Sequence, residues 1–176
     1  MTLREITARI SDDPALSRSL GKKHADLAVA EAAQPMVIAA IAGSGDRRPI
    51  VVVTATTNAA ERLTSDLETW LGTDNAQVFP AWETLPFERV SPAVETMGRR
   101  TQLLWQLRAG TAPKVLVLPV RALLQRLSPS HQAIEPLRVT QGDQLVMDDF
   151  ITELLNIGYR RDSQVEHRGD VAVRGS

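Results

Sequence analysis

Short uninterrupted apolar runs alternate along the chain with longer stretches in which apolar residues return every third or fourth position, and this alternation sets the expected architecture. The segments LREITARI and PALSRSL near the start read as short amphipathic helices, the second with Pro14 at a first helical position and Gly21 as a stop. DLAVA (26–30) then reads as a buried strand, PMVIAAIA (35–42) as a helix, and PIVVVTAT (49–56), with its consecutive valines, as a second strand. Asn58 is placed to cap the helix AAERLTSDLETWL, whose Ala60, Leu63, Leu67 and Leu71 share one face before Gly72 ends it. AQVF (76–79) is a third strand. Ser91 and Pro92 open a long helix, PAVETMGRRTQLLWQLRA, which Gly110 stops; KVLVLP (114–119) is a fourth strand and VRALLQRL a short helix.

A strand with one face in water alternates apolar and polar residues, and these do not. Apolar strands separated by helices predict a parallel sheet covered on both faces. Residues 1–128 are therefore expected to form an α/β domain, a parallel sheet with helices on both faces. Past SPSH (128–131) the rhythm changes: PLRVTQGD predicts a strand, DDFITELLNIG a helix, and QVEHRGDVAVRG two strands joined by a turn at Arg168-Gly169. Residues 129–176 read as the beginning of a small α+β domain, with too few strands for a satisfactory core, so its last strand is expected to present an unpaired edge.

Composition narrows the chemistry. The 43% hydrophobic and 23% charged residues are values of a folded globular chain. The absence of cysteine removes disulfides, thiolate zinc sites and thiol catalysis together. No apolar run approaches the ~18 residues of a membrane span, and charges interrupt the first helix, so a soluble cytoplasmic protein without membrane contact or signal peptide is expected. The basic residues are three lysines and seventeen arginines, yet residues 129–176 carry five Arg against eight Asp or Glu. That balance is a poor footprint for gripping phosphates.

The usual sites of α/β domains are not written here. After the first expected strand, where a phosphate loop belongs, the sequence reads EAAQPMV, with no glycine, lysine, serine or threonine. Gly43-Ser44-Gly45 precedes a strand and lacks the Gly-Lys-Ser/Thr ending, which makes it a surface turn. VLVLP is followed by Val120 and Arg121 and offers no acidic pair for magnesium. His24, His131 and His167 stand apart from any metal-ligand spacing. Asp12-Asp13 and Asp148-Asp149 sit at helix starts, where they favour the helix dipole. Arg99-Arg100 reads as a solvated helix face.

One stretch asks for its own explanation. VFPAWETLPFERVSP (78–92) holds three of the seven aromatic residues of the chain together with three prolines. The prolines restrict the backbone and lower the entropy lost on ordering it. Trp82, Leu85, Pro86 and Phe87 are then expected to form a structural loop whose apolar side chains fill a groove at the end of the sheet.

The stretch AWETLPFERVSP resembles the N-terminal region of the bacterial transcription-repair coupling factor (Mfd) family. Trp82, Glu83, Thr84, Leu85, Pro86, Ser91 and Pro92 match the family's loop, and Arg100 its helix arginine; LVLPVRALLQRLSP and GYRRDSQVEHRGDVAVRGS agree with the family's later segments. The resemblance implies a degenerate P-loop (RecA-like) domain similar to domain 1a of the excinuclease B subunit, UvrB, without its phosphate loop or its DNA-clamping aromatic hairpin. It also implies that residues 129–176 begin a domain that binds UvrA, with Arg174 in VAVRGS as the matching contact and Arg168 and Arg160 as rim contacts. Strand alternation would place Asp170, Ala172 and Arg174 on one face and Val171 and Val173 on the other. The family has an aromatic residue where Val171 stands.

In this reading the chain is a non-catalytic N-terminal fragment with no cofactor of its own. ATP, magnesium, RNA polymerase and double-stranded DNA are implied only for other modules of a full-length translocase. Two alternatives stand beside it: the nucleotide- and DNA-binding N-terminal part of an excinuclease B or helicase relative, and a free-standing α/β enzyme with a pocket at the C-terminal ends of its strands.

Overall fold

The computed structural model describes residues 3–20, 22–44, 49–84, 88, 91–127 and 135–174. Two helices, α1 (Leu3–Ser11) and α2 (Pro14–Leu20), open the chain, and Asp13 caps the second by accepting hydrogen bonds from the Ala15 and Leu16 amides at 2.7 and 3.1 Å. Then come α3 (Gln34–Gly43), β1 (Ile50–Thr54), α4 (Thr57–Leu71), β2 (Ala76–Val78), α5 (Val94–Ala109), β3 (Val115–Pro119) and α6 (Val120–Leu124).

The three strands make one parallel sheet in the order β1-β3-β2, with Val52 and Val78 both in register with Val117. Right-handed crossovers explain the layers: the chain steps from β1 to β2 in one direction and back to β3 in the other, so α4 and α5 fall on opposite faces. Ile50, Val52, Ala76, Val78, Val115 and Val117 pack with Ala39, Ala42, Ala60 and Leu67 of α3 and α4. On the other face Leu116 and Leu118 meet Phe79, Leu103 of α5 and Ala122 of α6. Every residue of β3 is buried, as its unbroken apolar run requires.

Several boundaries differ from the sequence pattern. DLAVA is not a strand: residues 26–30 have no regular structure, Leu27 is 43% exposed, and a 3-10 turn, Glu31–Ala33, leads straight into α3. With a single β-branched residue the run carries little strand preference. Among the described residues the sheet therefore has three strands, and the first strand is followed by Ala55, Thr56, Thr57 and Asn58, again without glycine or lysine. Thr56, not Asn58, caps α4, its hydroxyl accepting from the Ala59 amide at 3.1 Å. α5 begins at Val94 instead of Pro92, because Ala93 keeps an extended ψ of 136°. Its far end is as expected, with Gly110 left-handed at φ 71°.

Beyond the α/β unit, residues 135–140 form no strand. Their side chains reach α5 instead: Arg108 pairs with Glu135, and the Arg138 guanidinium lies 5.1 Å from the centre of the Trp105 ring. α7 (Met147–Asn156) comes next, with Asp148 and Asp149 in its first turn, and buries Ile151. β4 (Arg160–Arg161) and β5 (Asp170–Val171) then pair in parallel, so the expected pair of strands flanking Arg168-Gly169 is not formed. Asp170 explains this locally: its carboxylate accepts from the Glu166 and His167 amides at 3.3 and 2.8 Å and closes residues 166–170 as a turn. Gly169 has φ +94°, and a Cβ there would stand 3.2 Å from Val94, so this turn lies against the first turn of α5. No helix among the described residues is long and apolar enough to cross a membrane.

Candidate functional sites: a clamped loop and an arginine-bearing turn

The loop after β2 is held at successive positions by side chains from elsewhere. Phe79 continues the sheet through its amide, which donates to the Val117 carbonyl at 2.8 Å. Arg100, on α5, donates to the Pro80 carbonyl at 2.6 Å, and its guanidinium lies 4.3 Å from the ring centre of Phe79 and 4.4 Å from that of Trp82. Gln125 then treats Trp82 as a strand would: its Oε1 accepts from the Trp82 amide at 2.8 Å and its Nε2 donates to the Trp82 carbonyl at 3.3 Å. Glu83 accepts from the Thr96 hydroxyl, and Arg121 donates to the Glu83 carbonyl at 3.3 Å.

Glu83 also supplies what the sequence at α5 lacks. The N-cap residue of α5, Ala93, has no side chain that can cap the helix. The Glu83 carboxylate, thirteen residues from Thr96, takes the Thr96 hydroxyl and the Ala93 amide there. Burial pushes this carboxyl up, but the hydrogen bonds from Thr96, its own amide and Ala93, with the charge of Arg121, outweigh burial and hold it below its ordinary value. A group depressed in the folded state stabilises above its unfolded pKa and loses that contribution as pH falls through the folded value. Stability should therefore drop from about pH 4.5 downward, and Glu83→Gln should flatten that limb of a urea-midpoint-against-pH curve. An unchanged limb would remove Glu83 from the account.

Arg100 is the residue that the sequence pattern misplaces. Arg99 is solvated and paired with Glu95 at 3.0 Å, but Arg100 is 1% exposed. Among the described residues its Nε and second terminal nitrogen have no hydrogen-bond partner, and burial lowers its pKa from the ordinary arginine value. A signal exists in the spacing: Arg100 stands three residues before Leu103 and four after Thr96, both buried on the same face of α5. Trp82 is half-buried, with the Arg100 guanidinium over its ring. Leu85, Pro86 and Phe87 lie outside the described residues.

At the C-terminal ends of the strands this loop borders a cleft of about 540 Å³ lined by Thr57, Glu61, Trp82, Glu83, Thr96 and Arg121, among others. Several of its polar groups are already engaged in holding the loop. Among the described residues no three His, Asp or Glu side chains are grouped to hold a metal ion.

The arginines of the second unit lie on its small sheet and turn. Arg160 is in register with Asp170, while Arg168 occupies the turn and Arg174 comes after β5; all three are exposed, as is Arg161. The neighbouring acids are occupied locally: Asp170 by amides of its turn, and Asp162 by the Ser163 amide and hydroxyl at 2.6 and 3.2 Å. Asp162 is held below the ordinary carboxylate range by these bonds. Val171 and Val173 are half-buried. The unit thus carries exposed arginines, and two of its carboxylates, Asp162 and Asp170, already have local partners.

These features define a small α/β domain with a parallel sheet, a loop locked onto the sheet's end by α5 and α6, and an appended arginine-bearing unit. The chain belongs to the transcription-repair-coupling factor family. It is 39% identical over 149 residues to the transcription-repair-coupling factor of Mycobacterium tuberculosis (strain CDC 1551 / Oshkosh), a match covering 81% of this chain and 12% of that protein. Those of Haemophilus influenzae and Escherichia coli (strain K12) are 37% and 33% identical over 127 and 131 residues, covering 72% and 73% of this chain and 11% of each relative. The chain thus spans about an eighth of the length of the relatives it matches. No family model matches it. The shared name ties the family to DNA repair coupled to transcription.

Proposed function

We propose that this chain is a non-catalytic protein-binding module that recruits UvrA, within a transcription-repair coupling factor acting at lesion-stalled RNA polymerase. Residues 1–128 serve as a degenerate UvrB-like α/β scaffold and residues 129–176 as the start of the UvrA-binding domain. The observation that carries the reading is the exposure of Arg174, Arg168 and Arg160 in a unit whose Asp162 and Asp170 carboxylates are already engaged. Guanidinium groups free to fork onto carboxylates are common anchors of protein interfaces. The scaffold needs no cofactor: neither the stretch after β1 nor EAAQPMV offers a phosphate loop. ATP, magnesium, polymerase and duplex DNA belong to the remainder of a full-length protein.

Titration calorimetry of this chain with purified UvrA tests the proposal. Saturable binding in the absence of nucleic acid supports it, and no binding at micromolar concentrations contradicts it. The position of the cleft at the strand ends favours a second reading, a small-molecule or nucleotide site. A rise in melting temperature with ATP and magnesium would support that reading, and an unchanged one would remove it.

A further inference from the structure

The turn that carries Arg168 and leads to Arg174 has little of its own to hold it. β4 and β5 are joined by the Arg160 amide donating to the Gly169 carbonyl at 2.8 Å and the Asp162 amide to the Val171 carbonyl at 2.9 Å. A two-stranded pairing this short does not stand alone in water. Residues 160–168 are all exposed, yet residues 169–173 are all half-buried, where a strand covered on one face would alternate. The cover includes α5. A Cβ on Gly169, at φ +94°, would stand 3.2 Å from a methyl of Val94, the first residue of that helix. Only glycine allows the turn this conformation at so close an approach.

Val94 is also the residue whose position depends most on how α5 is capped. The Ala93 side chain offers no acceptor, and the Glu83 carboxylate of the clamped loop takes the Ala93 amide and the Thr96 hydroxyl. A first turn without its cap frays, beginning with its first residue. We infer that the first turn of α5 is a seat for residues 166–170, formed while Glu83 caps the helix, so that ordering of the loop at residues 79–83 governs how Arg168 and Arg174 are presented. The two states are a capped first turn with the arginine-bearing turn seated on it and a frayed one with that turn released. The contacts are continuous. Arg121 and Thr96 hold Glu83, Glu83 holds the Ala93 amide, and Val94 meets Gly169, the neighbour of Arg168. Asp170, its side chain 16% exposed, closes the seated turn through the Glu166 and His167 amides. The inference rests on the reading above only for what the arginines bind; the coupling itself concerns this chain alone.

Amide hydrogen exchange of the whole 176-residue chain tests it. The reporters are Arg160, Asp162 and Asp170, whose amides close the small sheet and the turn, and Met97, which donates to the Ala93 carbonyl at 3.0 Å. Glu83→Ala should speed exchange at all four at least ~5-fold and leave β3 unchanged. Adding Ala93→Asp, a local cap at an exposed position, should restore all four although the loop remains unclamped. Val94→Ala keeps a good helix former at a position 42% exposed, and should speed only the three reporters of the second unit. Ala93→Asp should not rescue that variant. If Glu83→Ala speeds β3 as well, Thr96→Val, which removes one of the two bonds to Glu83, takes its place with the same pattern at smaller size. Three outcomes overturn the inference: exchange that speeds at Met97 alone when the cap is lost, an added cap that restores Met97 but not the second unit, or Val94→Ala leaving all four unchanged. UvrA takes no part in this readout, so loss of the coupling would leave the UvrA reading intact, and absence of UvrA binding would leave the coupling intact.

Discussion

Arg100→Ala should cost about 2–4 kcal/mol of folding stability, seen as a lower urea midpoint at unchanged slope. The side chain fills the space between the Phe79 and Trp82 rings and donates to the Pro80 carbonyl. Truncation removes both ring contacts, opens a cavity and takes that hydrogen bond from the carbonyl. Lysine should recover less than half of the loss, because an ammonium cannot lie flat between two rings. Methionine is the sharper control. The guanidinium is buried with two nitrogens lacking partners among the described residues and with its pKa lowered by desolvation, so its charge is a cost that packing and the hydrogen bond to Pro80 offset. Arg100→Met keeps much of the volume without that charge, and its loss should be nearer 1 kcal/mol. If alanine costs less than about 0.5 kcal/mol, the sandwich does not hold the loop.

The contrast between Arg99 and Arg100 shows where sequence periodicity reads well and where it fails. Helical spacing identifies the buried face of α4, with Ala60 and Leu67 fully buried, because Ala60, Leu63, Leu67 and Leu71 mark it at every turn even though Thr64 is buried there too. On α5 the same face includes Thr96 and Arg100, and a polar residue type hides its burial. The partners that make burial tolerable, Phe79, Trp82 and the Pro80 carbonyl, are about twenty residues away in sequence. Glu83 as the cap of α5 is nonlocal in the same way. Ser91 and Pro92 are the local candidates for the helix start because capping is normally a property of adjacent residues.

Strands are legible when β-branched and continuous, as in β1 and β3, and are misleading when the apolar run is alanine-rich, as in DLAVA. The second unit is legible only as α7 and a turn. Its pairing in parallel across an eight-residue connection depends on Asp170 closing residues 166–170, a side-chain-to-backbone arrangement that hydrophobic spacing does not encode. The arginines of that unit can be named from resemblance; their exposure and the engagement of the nearby acids require three-dimensional neighbours.

Arg174→Ala should weaken UvrA binding by about 1–3 kcal/mol, roughly 5–150-fold, with the folding of the chain unchanged. The side chain is exposed, so truncation removes no core packing. Arg174→Lys separates the contributions. It keeps the charge but not the planar fork, so a bidentate contact predicts that lysine rescues little, whereas simple charge attraction predicts nearly full rescue. Arg168→Ala and Arg160→Ala should each cost under ~1 kcal/mol if they are solvated rim contacts, and that loss should shrink further at high salt. Two results would displace Arg174 from the centre: equal losses for all three substitutions, which mean a diffuse electrostatic patch, or a loss confined to Arg160, which moves the contact to β4. Binding by wild-type chain that none of the three weakens would place UvrA on the α/β unit instead, with the clamped loop and its half-buried Trp82 as the next surface to substitute.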